Sequence, residues 1–191
     1  MSERAVFLDR DGTIVEEVGY LDRLDRLRLF PWSIDAVRLL NRAGFRVIVV
    51  TNQAGIARGY FSERFVEDTH RELADRFVAG GATIDHFYYC PHHPAGTVAA
   101  YRADCSCRKP RPGMIRQAQQ DLGIDPARSF MVGDRWIDVA MGREAGARTV
   151  LVRTGYGTAE ESHPSNDVTA DFVAETLMDA TAWILRQERG A

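Results

Sequence analysis

Lysine is nearly missing from this 191-residue sequence: of its 24 basic residues, all but Lys109 are arginine. A general arginine bias explains the many but not the exception. A compact ammonium on a flexible stem does what a planar guanidinium fork cannot, so Lys109 is a candidate site residue before any motif is considered. Cysteine is scarce as well, at three residues, and the odd number argues against a framework of structural disulfides. No apolar run approaches the length of a bilayer span, and behind Glu3 and Arg4 the stretch Ala5 to Leu8 is too brief for a signal peptide. A cytoplasmic protein without a membrane partner is expected. Charge of one sign is not in excess either, with 27 acidic against 24 basic residues and a net charge of -3. Nucleic acid therefore has no broad cationic surface to bind, and the expected partner is a small molecule. No feature signals an oligomer, so a monomer is expected.

What is present suits one α/β domain over residues 1–191. Strand candidates are Ala5 to Asp9, Phe45 to Thr51, Ile84 to Tyr89, Ser129 to Gly133, Thr149 to Val152 and, more weakly, Asp171 to Val173. Between them lie helix-period segments, the pattern of βαβ units and a Rossmann-like parallel sheet with helices on both faces. Ile34, Val37, Leu39 and Leu40 form an apolar stripe that stops at Gly44. Ser62 reads as an N-cap before a stripe of Phe65, Val66, Leu73 and Phe77 that ends at Gly80 and Gly81. Further helices are expected over 113–122, 135–144 and 174–186, and a polar surface loop over 158–169.

In an open α/β sheet, ligands bind beyond the carboxyl ends of the strands. Three expected strands end there in suggestive residues: Asp9-Arg10-Asp11-Gly12-Thr13, Thr51-Asn52-Gln53, and Gly133-Asp134 with Asp138 one helical turn on. Carboxylates gathered at one sheet edge repel one another unless a cation joins them. Hard oxygen ligands with room for water suit Mg²⁺, with Asp9, Asp11 and Asp134 as the candidate set.

These motifs, in this order and strand context, resemble the phosphatase branch of the haloacid dehalogenase superfamily, over Ala5 to about Val152. The resemblance implies that Asp9 attacks phosphorus to form an aspartyl-phosphate, while Asp11 protonates the leaving oxygen and then deprotonates the hydrolytic water. It further implies that Thr51, the Asn52 amide and Lys109 hold the phosphoryl oxygens. Mg²⁺ would be bound by Asp9, Asp134 and the backbone carbonyl of Asp11. Asp138 would orient Lys109 or a metal-bound water.

Cys90-Pro91-His92 and Cys105-Ser106-Cys107 supply three sulfurs and one imidazole, the ligand count of a closed, structural zinc site. His93 is the alternative nitrogen ligand by position, and the family pattern favours His92. This loop, leading into Arg108-Lys109-Pro110, narrows the resemblance to the heptose bisphosphate phosphatases, with histidinol-phosphate phosphatases as relatives. Too few residues separate the motifs to build a large cap domain, so the loops must carry specificity. In that branch the positions matching Glu17, Val18, Gly19 and Tyr20, then Thr51, Asn52, Gln53 and Ala54, and then Arg108 with Lys109 contact substrate. Arg135 stands where the family often has lysine. With Arg58, Arg108 and Arg111 it offers charge for a second phosphate.

Overall fold

Runs of β-branched and aromatic residues become strands in this chain because both of their faces are covered. A computed structural model, which describes residues 3–163 and 168–188, places six strands among the described residues: β1 (Ala5–Leu8), β2 (Arg46–Asn52), β3 (His86–Cys90), β4 (Phe130–Gly133), β5 (Arg148–Val152) and β6 (Phe172–Ala174). All pair in parallel, in the order β3-β2-β1-β4-β5-β6. The helices are α1 (Ser33–Arg42), α2 (Ala54–Ala57), α3 (Glu63–Ala79), α4 (Gly113–Leu122), α5 (Trp136–Ala145), α6 (Gly157–Ser162) and α7 (Leu177–Glu188).

Alternation along β1 splits the core into two layers. Val6 and Leu8 face a cluster that includes Val37 and Leu40 of α1, Leu73 and Phe77 of α3 and Ile184 of α7. Ala5 and Phe7 face the other, built from Met114 and Ile115 of α4 and Met141 of α5. The expected three-layer, Rossmann-like arrangement is therefore present. No helix among the described residues is long and apolar enough to cross a membrane.

The expected helices need correction at three places. Leu39 is 38% exposed and lies outside the stripe formed by Val37 and Leu40. The last helix starts at Leu177, not at 174, because Ala174 still pairs in β6 and the Thr176 hydroxyl accepts from the Asp179 amide as a cap. Part of the stretch 158–169, read as a loop, is the short helix α6; residues 164–167 lie outside the described residues. Tertiary bonds hold α6: Glu161 pairs with Arg153 at 2.6 Å, and Glu160 accepts from the Trp136 amide at 2.9 Å. A polar composition alone does not reveal such support. The N-cap reading of Ser62 holds, its hydroxyl accepting from the Phe65 amide at 3.2 Å.

Candidate active site

β1 lies between β2 and β4, where the strand order reverses, and the carboxyl ends of these strands open into a cleft of about 260 Å³. Asp9 follows β1 directly and its amide still donates to Val132 O of β4 at 2.9 Å, so the residue is fixed to the sheet. Lys109 arrives from the segment before α4. Its ammonium lies 2.7 Å from Asp9 Oδ1 and 2.6 Å from Asp138 Oδ1, and it donates to Val50 O at 3.2 Å. Two hydrogen bonds and one further ion pair thus surround a single buried nitrogen. Burial works against that charge, yet Asp138 and Asp9 outweigh it and hold Lys109 above the usual lysine range.

Asp138, on α5, uses its second oxygen to accept from the Arg135 amide at 3.1 Å. Its other oxygen, buried without a hydrogen-bond partner, faces the Lys109 ammonium as a close ion pair.

Asp134 Oδ2 accepts from the Tyr156 amide at 2.8 Å, while Oδ1 is buried with no protein partner. Gly12 and Gly155, both with positive φ, press against this carboxylate, and a Cβ at either would collide with it. Asp9, Asp134 and Asp138 bring carboxylate oxygens within 4.8 Å of one another. Burial pushes the Asp134 carboxyl up to about 9, with Asp9 and Asp138 adding to the effect. Burial likewise pushes Asp9 up to about 7, against the pull of Lys109. Against these three carboxylates Lys109 offers one positive charge, and a divalent cation would make up the rest. All-oxygen donors, a charge deficit and an orphaned buried oxygen fit Mg²⁺.

Asp11 stands apart from that acidic cluster. Its carboxylate is gripped by Arg10 at 2.9 Å and accepts from Gln53 Nε2 at 3.1 Å; the same Gln53 amide donates to Thr51 Oγ1 at 2.9 Å. Gln53 is thereby buried as a link between Thr51 and Asp11. The Asn52 side chain has a comparable task, accepting from the Lys109 amide at 3.1 Å and donating to Lys109 O at 3.3 Å.

Of the residues expected to contact substrate, Glu17, Gly19, Tyr20, Asn52, Gln53, Ala54, Arg108 and Arg135 line the cleft. Val18 does not; it packs against the core instead. Burial and the charge of Asp11 raise the Glu17 carboxyl above its ordinary range. Arg135 is aimed by Glu160 at 3.2 Å and lies over the Tyr156 ring. The charge expected from Arg58 and Arg111 is not among the lining: Arg58 reaches His93, and Arg111 pairs with Asp104 at 2.7 Å. Tyr156, Phe61 and Arg10 line the cleft without having been expected. Tyr156 follows β5, so the strand-end rule, extended to the fifth strand, could have found it.

Beside the cleft, Cys90, His92, Cys105 and Cys107 converge, each offering a ligand atom within 4.8 Å of the others, and could hold a metal ion. Cys107 Sγ lies 3.2 Å from both other sulfurs and 3.5 Å from His92 Nδ1. The neighbouring Cys90 thiol lowers the Cys107 thiol to about 5. His93 turns away, its Nδ1 accepting from the Ala95 amide at 3.0 Å. The cluster connects to the cleft through backbone: Arg108 Nη1 donates to His92 O at 3.2 Å, and the Gln53 amide to Cys90 O at 2.8 Å.

Comparison with known proteins bears on the site. Residues 106–180 match a family model described as "HAD-hyrolase-like". A D-glycero-β-D-manno-heptose-1,7-bisphosphate 7-phosphatase from Pasteurella multocida (strain Pm70) is 44% identical over 182 residues, covering 93% of this chain and 94% of that protein. One of the same name from Escherichia coli (strain K12) is 44% identical over 192 residues, covering 98% and 96%. Among solved structures, a D,D-heptose 1,7-bisphosphate phosphatase from B. bronchiseptica complexed with magnesium and phosphate superposes with a TM-score of 0.86 at 29% identity, over 96% of this chain and 99% of that one.

Proposed function

The chain belongs to the heptose 1,7-bisphosphate 7-phosphatases, a family of haloacid dehalogenase-like hydrolases, and from that premise we propose that it removes the 7-phosphate of D-glycero-D-manno-heptose 1,7-bisphosphate through an aspartyl-phosphate on Asp9. The observation that carries the mechanism is the buried Lys109 ammonium, shared between Asp9 and Asp138 at the mouth of β1. It fixes the Asp9 carboxylate and places a positive charge where phosphoryl oxygens would gather.

In this reading Asp9 attacks phosphorus and the bond to the sugar oxygen breaks. Asp11 gives that oxygen its proton, and the free Asp11 carboxylate then takes a proton from the water that attacks the phosphoaspartate. The phosphorus–Asp9 bond breaks, inorganic phosphate leaves, and both aspartates return to their starting forms. The Thr51 hydroxyl, the Asn52 amide and Lys109 bind the transferring phosphoryl oxygens. Asp9, Asp134 and the Asp11 carbonyl would hold Mg²⁺, which when bound would supply the charge neutralisation that lets an anionic nucleophile meet an anionic phosphate. Arg108 and Arg135, both in the cleft lining, suit the second phosphate. The sugar hydroxyls fall to Glu17, Gly19, Tyr20 and Ala54.

The sulfur-rich cluster suits Zn²⁺, which its three soft sulfurs and one imidazole would hold as a structural ion. Its work is to pin the segment that delivers Arg108 and Lys109. The whole chain, residues 1–191, acts on this reading as a single catalytic domain.

The reading is tested by kcat/KM, with Mg²⁺, for heptose 1,7-bisphosphate and for histidinol phosphate, in the wild type and in Asp9→Asn. A large preference for the bisphosphate that vanishes in Asp9→Asn is expected. Preference for histidinol phosphate would overturn the substrate, and turnover surviving in Asp9→Asn would overturn the phosphoaspartate.

A further inference from the structure

Two buried polar side chains beside the cleft take no part in that scheme: Arg10, with a side chain only 2% exposed, and His70 on α3. Arg10 turns its fork on Asp11. Nε lies 3.1 and 3.2 Å from the two carboxylate oxygens, and Nη2 lies 3.0 and 2.9 Å from them. The remaining nitrogen, Nη1, meets His70 Nε2 at 3.4 Å. The imidazole is itself fixed, stacked on Phe87 of β3 with centroids 4.6 Å apart and edge-on to Tyr89 at 5.7 Å. A guanidinium has no acceptor, so the ring nitrogen that faces it must present a lone pair, and His70 is the neutral tautomer with its proton on Nδ1. Burial, with the Arg10 charge adding, lowers the His70 pKa to about 3, which agrees with that assignment.

We propose that Arg10 is a positioning residue for Asp11, and that His70 holds Arg10 in place during the half of the cycle in which Asp11 carries a proton. The proposal rests on the reading of Asp11 as the acid and base. An acid must meet the leaving oxygen in a fixed orientation, and a small misplacement is costly in rate. The fork fixes the plane of the carboxylate from one side while Gln53 holds Oδ2 from the other. Asp11 alternates between charged and neutral forms, so its hold on Arg10 weakens once per turnover. Arg10 is too buried for water to take over. The lone pair of a neutral imidazole does not change when Asp11 gains a proton, so it keeps the guanidinium from swinging away. A charged ring would repel it.

Leaving-group chemistry separates this role from a purely structural one. An alkoxide leaving from the heptose needs the proton from Asp11, whereas the nitrophenolate leaving from p-nitrophenyl phosphate does not. Because kcat/KM covers only the steps through loss of the leaving group, it isolates that proton transfer from the later hydrolysis. The comparison uses heptose 1,7-bisphosphate and p-nitrophenyl phosphate with wild type, Arg10→Met, His70→Leu, His70→Gln and Asp11→Asn. Arg10→Met is expected to lose at least about tenfold more kcat/KM on the bisphosphate than on the aryl phosphate. The loss should lie in kcat more than in KM. His70→Leu should shift the ratio in the same direction by less, and His70→Gln, which keeps an acceptor, should restore it toward wild type.

Equal losses on both substrates in Arg10→Met and His70→Leu, with a selective loss in Asp11→Asn, would overturn the positioning role and leave the acid assignment intact. No selective loss in Asp11→Asn would overturn the acid assignment, and the proposal with it. The His70 variants retain the Arg10 charge, so they decide the matter even if Arg10→Met does not fold.

Discussion

Lys109 has a side chain only 2% exposed, against an Asp138 side chain with no exposure at all. A buried ion pair of this kind is weak as a source of stability but expensive to break from one side, because the surviving charge has no water to turn to. Lys109→Met therefore leaves Asp138 and Asp9 facing each other without a cation. At a pH where the carboxylates ionise, the variant is expected to lose about 3–5 kcal/mol in urea unfolding without Mg²⁺. Lys109→Arg keeps the charge but brings a planar fork into a space bounded by Asp9, Asp138 and Val50 O. Its kcat should fall by about 10²–10³. A Lys109→Met protein as stable as wild type would show that the pair is not what holds Asp138 in the core. This residue was legible from sequence, as the one lysine among arginines. His70 was not, because on α3 it shares a helix with buried Val66, Leu73 and Phe77 and reads as ordinary core. Only its contact with Arg10 distinguishes it.

At the scale of elements, the segment between His92 and Cys105 is tied down at two kinds of point. The sulfur and imidazole cluster closes its base. Farther along, the Val98 amide donates to Ala57 O of α2 at 2.9 Å, and the Tyr101 hydroxyl donates to Glu63 of α3 at 2.6 Å. Opening the cluster should loosen the segment and, through His92 O, release Arg108. Cys105→Ser is expected to speed protease cleavage between residues 92 and 105 and to raise KM for the bisphosphate several-fold with a smaller change in kcat. An unchanged cleavage pattern would show that the hydrogen bonds to α2 and α3 suffice. The strands were legible because a parallel sheet buried on both faces demands continuous apolar runs, as in Val47 to Val50. Helix α6 was not, since its stability comes from Arg153, Arg135 and Trp136, which lie elsewhere in the sequence. Periodicity carries no information on partners of that kind. The resemblance alone told the two motif aspartates apart in sequence; in the structure one is bound to Lys109 and the other to Arg10.

For the whole molecule, the raised carboxyls make folding a proton-linked event. Asp134 at about 9 and Asp9 at about 7 keep protons in the metal-free fold that the unfolded chain releases above its ordinary value of 3.8. Across that window the folded state binds more protons than the unfolded one, so their contribution to stability falls as pH rises. A divalent cation displaces those protons, and its stabilising effect should grow over the same range. The rise in Tm on adding Mg²⁺ is expected to be larger at about pH 8.5 than at about pH 6. An equal rise at both would indicate that the cation meets carboxylates already ionised.

Because every strand points the same way, the sheet has a working rim and an idle one. Glu3 is bonded beside Gly123 and Asp125 at the idle rim. Gln187 reaches Arg148 at the start of β5, on that same rim. A tether or carrier protein attached near either of these positions would leave from the side opposite the cleft. Anchored to a solid support in that way, the enzyme would face its substrate with the mouth of the cleft toward the liquid.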